Sequence, residues 1–219
     1  GNYTYYTVKR AINTVADPEV VECNAISMPG LTNEGLTKYL IDVCEERADA
    51  LGVIDVKGGF QPRHESVDAI SDRKGNTETV LTNMKARNLN NSYGCAYYPW
   101  VTIRDSVNST FVKVPPSVVA LGVMANTERK ADVWFAPAGF NRGGLGMVSN
   151  TAVRLTASDR DDLYDAMIKD GYPVCYIHSS MEKGAREEAL QQFRLGKFRV
   201  LISSGITARG IDIQQVSIV

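Results

Sequence analysis

Ala50-Leu51-Gly52-Val53-Ile54-Asp55-Val56 is a mostly apolar run of strand length, the kind that suits a sheet covered on both faces. Upstream, Leu31-Thr32-Asn33 opens a helix whose Leu36, Tyr39, Leu40, Val43 and Cys44 recur at three and four residues, which is one buried face. Downstream, Thr77 to Asn88 reads as a second helix with Val80, Leu81 and Met84 facing in. Asn91 to Trp100, continuing through Val101-Thr102-Ile103-Arg104-Asp105, alternates apolar and polar residues and reads as a strand. A polar turn at Ser106 to Thr110 brings Phe111-Val112-Lys113-Val114 back as its hairpin partner. Pro115-Pro116-Ser117 then starts a helix through Val118, Leu121, Val123 and Met124, since proline is tolerated in a first turn that needs no internal N–H donors. Val133 to Gly139 follows as a short segment expected to be buried.

The order of a Tyr97-Tyr98-Pro99-Trp100 strand, a Val114-Pro115-Pro116-Ser117 helix start, a Trp134-Phe135-Ala136-Pro137-Ala138-Gly139 segment and Asn141-Arg142-Gly143-Gly144-Leu145 resembles the contractile-tail sheath protein of myovirus-type bacteriophages. Asp17 to Val21, with Ala25-Ile26-Ser27 leading into Met28-Pro29-Gly30, is similar to that family's strand and following loop. With this strand in front, the rhythm is strand, helix, strand, helix, strand, that of an α/β layer. The resemblance implies a subtilisin-like layered α/β core that is structural rather than proteolytic. Its implied partners are other sheath subunits, the tail tube protein and the baseplate. The implied location is the virion tail, assembled in the host cytoplasm, with contraction as rings slide while strands augment neighbouring sheets. The family's terminal arms have no counterpart here, so the expectation is a monomer.

Near Asp162-Leu163-Tyr164-Asp165-Ala166 the text changes, and the division expected is a sheath-like core over 1–166 and a second segment over 167–219. Gly171 to Ser179 reads as a strand, Glu182 to Leu195 as an amphipathic helix with Ala189, Leu190 and Phe193 inward, and Phe198 to Ser204 as a second buried strand. With Phe193-Arg194-Leu195-Gly196 and Ala208-Arg209-Gly210-Ile211-Asp212, this segment resembles part of the second RecA-like domain of a DEAD-box RNA helicase. The resemblance implies RNA contacts at Ser204 and Arg186 and nucleotide contacts at Gly210 and Asp212. Ser204-Gly205 stands where that family has Thr-Asp, and Lys183 where it has glutamine.

No G-x-x-x-x-G-K-[ST] and no Asp-Glu-Ala-Asp occurs in the sequence, and Val219 precedes the family's arginine-bearing segment. Without phosphate, metal and transition-state charge contacts little remains to accelerate phosphoryl transfer, so the sequence predicts no enzyme and no cofactor. The reading that follows is a sheath subunit or fragment. Its alternative is a helicase-derived RNA-binding fragment without ATPase activity.

At 219 residues and 44% hydrophobic, the chain is long enough for one domain, or a domain and a fragment. A net charge of -1 argues against broad phosphate neutralisation and makes a nucleic-acid partner unexpected outside the alternative reading. Lys197-Phe198-Arg199 reads as a solvated helix exit. Cys23, Cys44, Cys95 and Cys175 are scattered in apolar surroundings without C-x-x-C spacing, which points to reduced buried thiols rather than zinc or disulfides. No apolar run approaches the ~20 residues of a membrane span, and Gly1-Asn2-Tyr3-Thr4 lacks the pattern of a signal peptide. His64, Ser66 and Asp68 crowd one loop and are too close in sequence to form a convergent triad. His178 is expected to cap or pack, and Gly143-Gly144-Leu145-Gly146 to form a structural turn.

Overall fold

The computed structural model describes residues 2–58, 60, 75–87, 89–135, 137, 143–153, 161, 164–165, 168, 174–177, 181–195, 197 and 200–203. The fold is mixed α/β with a parallel sheet, and the chain divides into two compact units, Gly1–Leu121 with Asn150–Ala152 and Gly122–Ser149 with Val153–Val219.

The first unit opens with α1 (Tyr3–Thr14), β1 (Ala25–Ser27), α2 (Glu34–Arg47), β2 (Leu51–Asp55), α3 (Thr77–Arg87) and β3 (Gly94–Tyr97). The three strands form one parallel sheet in the order β1-β2-β3, with Val53 opposite Ser27 on one side and Cys95 on the other. Gly52 to Asp55 of the central strand are buried, which is why that run is so apolar.

Helix α2 begins where the Asn33 side chain accepts the Leu36 N–H at 3.1 Å, satisfying a first-turn donor. It ends at Ala48, whose left-handed backbone (φ 59°) lets its N–H close on the Cys44 carbonyl. Leu36, Leu40, Ile41 and Val43 form the core with Ile12 of α1 and Ile54 of β2. The helix lies close to the sheet because Gly94 has no side chain: a Cβ there would stand 2.9 Å from Ile41 Cδ1 and Cγ1. The buried Arg47 side chain donates to Asp49 through Nε and Nη2 (2.8 and 2.9 Å), and to the carbonyls of Val15 and Val21. One guanidinium thus ties the end of α2 to the segment between α1 and β1.

A second sheet contains β4 (Val101–Asp105), β5 (Thr110–Val114) and β6 (Val148–Thr151) in the order β5-β4-β6, with α4 (Pro116–Lys130) following β5. The predicted hairpin is present, antiparallel with Ile103 opposite Val112. Its turn is held by the Asp105 carboxylate, which accepts from the N–H of Val107 and Asn108 and from Asn108 Nδ2. Two expectations differ. Asn91 to Asp105 is not one strand: β3 and β4 belong to different sheets and are separated at Tyr98-Pro99, where proline has no N–H for a ladder. Val133 and Trp134 are 65% and 70% exposed rather than buried, because the chain turns directly after α4, with the Phe135 N–H on the Asp132 carbonyl at 3.0 Å.

The second unit holds β7 (Val174–Ile177), α5 (Lys183–Arg194) and β8 (Val200–Ser203). Strands β7 and β8 are parallel, with Val174 opposite Val200 and Ile177 opposite Ser203.

Candidate nucleic-acid interface

Parallel neighbours need a crossover, and α5 supplies it between β7 and β8. Val174, Cys175 and Ile177 are buried, so β7 is a covered strand. In such β-α-β units ligands collect beyond the carboxyl ends of the strands, here marked by the pair Ile177 and Ser203. Ser204 follows Ser203 in sequence.

The helix carries the group that stands out. Arg186, Ala189, Leu190 and Phe193 are spaced i, i+3, i+4, i+7, so the arginine shares the helix's inward stripe with the three apolar residues. Phe193 is buried and the other three are half-buried. The Nε of Arg186 is buried without a hydrogen-bond partner. A guanidinium is a donor with no acceptor capacity, and a buried unpaired donor costs roughly 1–3 kcal/mol until an anion or carbonyl meets it. Phosphate is such an acceptor, and the planar fork of arginine suits it. Lys183, one turn away, is exposed and 3.9 Å from Glu187, an ion pair of little energetic weight.

Ser204, Gly210 and Asp212 lie outside the described residues, as do His64, Ser66, Asp68 and His178. Gly143, Gly144 and Gly146 precede β6, where the Val148 N–H bonds the Leu145 carbonyl at 3.0 Å in a turn. All four cysteines are free thiols; Cys44, Cys95 and Cys175 are buried, and burial pushes each thiol up to about 11, which makes them unreactive at neutral pH. Among the described residues no group of three or more His, Cys, Asp or Glu is placed to hold a metal ion, and no helix is long and apolar enough to cross a membrane.

Sequence reasoning missed Asp55 as a node of the first unit. Its carboxylate is 1% exposed and accepts the Gly30 N–H at 2.7 Å, the Ser117 N–H at 3.1 Å and the Ser117 hydroxyl at 2.8 Å. The signal available was an acid closing an apolar strand, a place where a buried charge needs donors. These three donors fix the Gly30 turn and the start of α4 to the end of β2, so the group is engaged structurally.

Residues 147–219 match the family described as Helicase conserved C-terminal domain. The chain is 34% identical over 77 residues to the ATP-dependent RNA helicase dbp5 of Botryotinia fuckeliana, which covers 35% of this chain and 16% of that protein. Eukaryotic initiation factor 4A of Caenorhabditis elegans is 42% identical over 59 residues, covering 27% of this chain and 15% of that protein. The ATP-dependent RNA helicase DBP5 of Yarrowia lipolytica is 42% identical over 75 residues, covering 34% and 15%. The chain therefore spans about a sixth of the length of these relatives.

The C-terminal part is thus helicase-like, as its sequence implied. The sheath reading is corrected by the same matches, which are to RNA helicases of cellular organisms; with it fall the sheath subunits, tail tube and baseplate as partners, and the virion as location. Short aromatic and proline-rich runs such as Tyr97 to Trp100 satisfy the general needs of an α/β strand end and helix start, so they carry less family information than they seem to. The expectation of no enzyme is corrected as well, since the relatives are ATP-dependent helicases. It rested on missing phosphate and magnesium motifs, and a chain spanning a sixth of its relatives has no reason to hold every motif of the whole. The unexpectedness of nucleic acid falls too: single strands are held by local stacking and a few phosphate contacts, which an average charge of -1 does not report.

Proposed function

We propose that residues 167–219 form an RNA-contacting division of an ATP-dependent RNA helicase C-terminal domain, beside a separate α/β division over 1–166. In this reading Arg186 and Ser204 contact the RNA backbone, and Gly210 and Asp212 face the nucleotide. The observation that carries it is the coincidence of the helicase match over 147–219 with the parallel β7-α5-β8 unit. The unpaired Arg186 Nε supports a phosphate acceptor there. The described residues provide no contact set for ATP. When bound, ATP would supply phosphoryl transfer, with the phosphate and magnesium contacts coming from other segments of a whole helicase.

The test is fluorescence anisotropy of a labelled single-stranded oligouridylate titrated with the full chain. Binding should weaken with added salt and fall by about tenfold in Arg186→Ala and in Ser204→Ala, the loss expected for one charge-assisted contact. Binding unchanged by both substitutions would reject the assignment of these residues.

A further inference from the structure

We propose that the outward face of α1 is a second site for single-stranded RNA, working by base stacking. Tyr3, Tyr6 and Arg10 stand at i, i+3 and i+7 and share one helical face. Tyr3 and Tyr6 are 84% and 61% exposed. The opposite side of the helix, with Val8 and Ile12, is seated on the α2 core, so packing rather than a ligand sets the position of the face.

The surroundings hold this surface in shape. The Tyr6 ring meets the Tyr5 ring edge-on, with centroids 5.5 Å apart and an interplanar angle of 85°. Lys9 Nζ lies 4.3 Å from the centroid of the Tyr39 ring of α2, which leaves Arg10 as the cation on the Tyr3 and Tyr6 face.

Charge selects the ligand. Residues 1–16 contain Lys9 and Arg10 and no aspartate or glutamate, in a chain whose 25 acids outnumber its 24 bases. Flat exposed rings with a guanidinium on the same helical face match a strand that offers stacked bases and phosphates. An anionic membrane fits less well, because the aliphatic side chains are on the buried side and the outward side offers hydroxylated rings with nothing to insert among acyl chains. The inference takes its ligand class from the reading above, but its site lies outside the 147–219 match.

The experiment is photo-crosslinking of the full chain to a single-stranded oligouridylate carrying 4-thiouridine, with the modified residues located by mass spectrometry and affinities measured by anisotropy. Cross-links at Tyr3 or Tyr6 are expected, with binding about tenfold weaker in the Tyr3→Ser, Tyr6→Ser double variant and reduced in Arg10→Glu. All three side chains are exposed, and an unchanged circular-dichroism melt would show that the variants fold. Cross-links confined to residues 186–212, with the double variant binding as tightly as the parent, would overturn this inference and leave the C-terminal reading standing. Cross-links on α1 alone would uphold it and remove the C-terminal site. No RNA binding at all would overturn both.

Discussion

Replacing Asp55 by alanine should be among the most damaging single changes in the first unit. The carboxylate is 1% exposed and accepts three hydrogen bonds, from Gly30 N–H, Ser117 N–H and Ser117 Oγ, at 2.7, 3.1 and 2.8 Å. A hydrogen bond to a charged group contributes about 1.5–3 kcal/mol net, and stranding buried donors costs roughly 1–3 kcal/mol more for each. The three share one acceptor and are not additive, so the expected loss for Asp55→Ala is about 3–5 kcal/mol. Asp55→Asn retains the shape and one carbonyl oxygen but turns an NH₂ toward donors, and should lose about 1–3 kcal/mol. Ser117→Ala removes one donor and leaves the others paired, for roughly 1 kcal/mol. The assay is urea denaturation followed by tryptophan emission. The chain has two tryptophans, and Trp134 is exposed, so a Trp134→Phe background leaves the signal to buried Trp100. Trp100 is well placed as a reporter, since its ring edge lies 3.8 Å from where a Gly30 Cβ would stand. An Asp55→Ala unfolding free energy within about 0.5 kcal/mol of the parent, at equal m value, would refute the view that this carboxylate joins the three segments.

Three further outcomes are expected. The Arg47 guanidinium beside Asp49 holds the Asp49 carboxyl below the usual carboxylate range, so the unfolded chain binds this proton more readily than the folded one; the stability it contributes is present above the ordinary pKa of about 3.9 and is lost as pH falls through the lower folded value, and Asp49→Asn should flatten that part of the acid-denaturation profile. Gly94→Ala would place a methyl 2.9 Å from Ile41 Cδ1 and Cγ1 and should cost about 1–3 kcal/mol, with a smaller cost in an Ile41→Val background when both are measured by thermal melting. Phe193→Ala empties a side chain that is 5% exposed and should destabilise the second unit by about 3–5 kcal/mol, seen as lost hydrogen-exchange protection of β7; unchanged protection would show that α5 does not support that strand.

Periodicity reveals what is buried more readily than what a buried place is for. Leu36, Leu40 and Val43 announce the inner face of α2 because a helix repeats every 3.6 residues, and all three are buried. Gly52 to Asp55 announce a covered strand because no solvent-facing alternation interrupts them. Alternation also continues smoothly from Asn91 to Asp105, yet the sheet changes within that run. Only Pro99, with its missing N–H, marked the break, and a single proline is a weak signal beside seven β-branched and aromatic neighbours. Val133 and Trp134 failed for a different reason: apolar side chains are read as buried by default, whereas burial depends on what lies opposite, and sequence pattern is silent about that.

The same logic separates Arg186 from the other arginines. Its place on the stripe with Ala189, Leu190 and Phe193 can be derived from spacing alone, and a charged residue there conflicts with the pattern around it. Such a conflict is resolved either by a partner inside the protein, as Arg47 is by Asp49 and two carbonyls, or by one outside it. In Arg47 all the donors converge on acceptors of the same unit. In Arg186 the Nε has none, although burial has already removed the water that would otherwise satisfy it. Arg47 is thus a structural clamp, whereas under the proposed function the cost at Arg186 is relieved by phosphate. Exchanging their environments gives the sharpest contrast: Arg47→Met should destabilise the first unit strongly, whereas Arg186→Met should leave the second unit as stable or raise its melting temperature while weakening RNA binding. If Arg186→Met instead lowered stability as Arg47→Met does, the arginine would be a packing element, and the phosphate-contact argument would lose its physical basis.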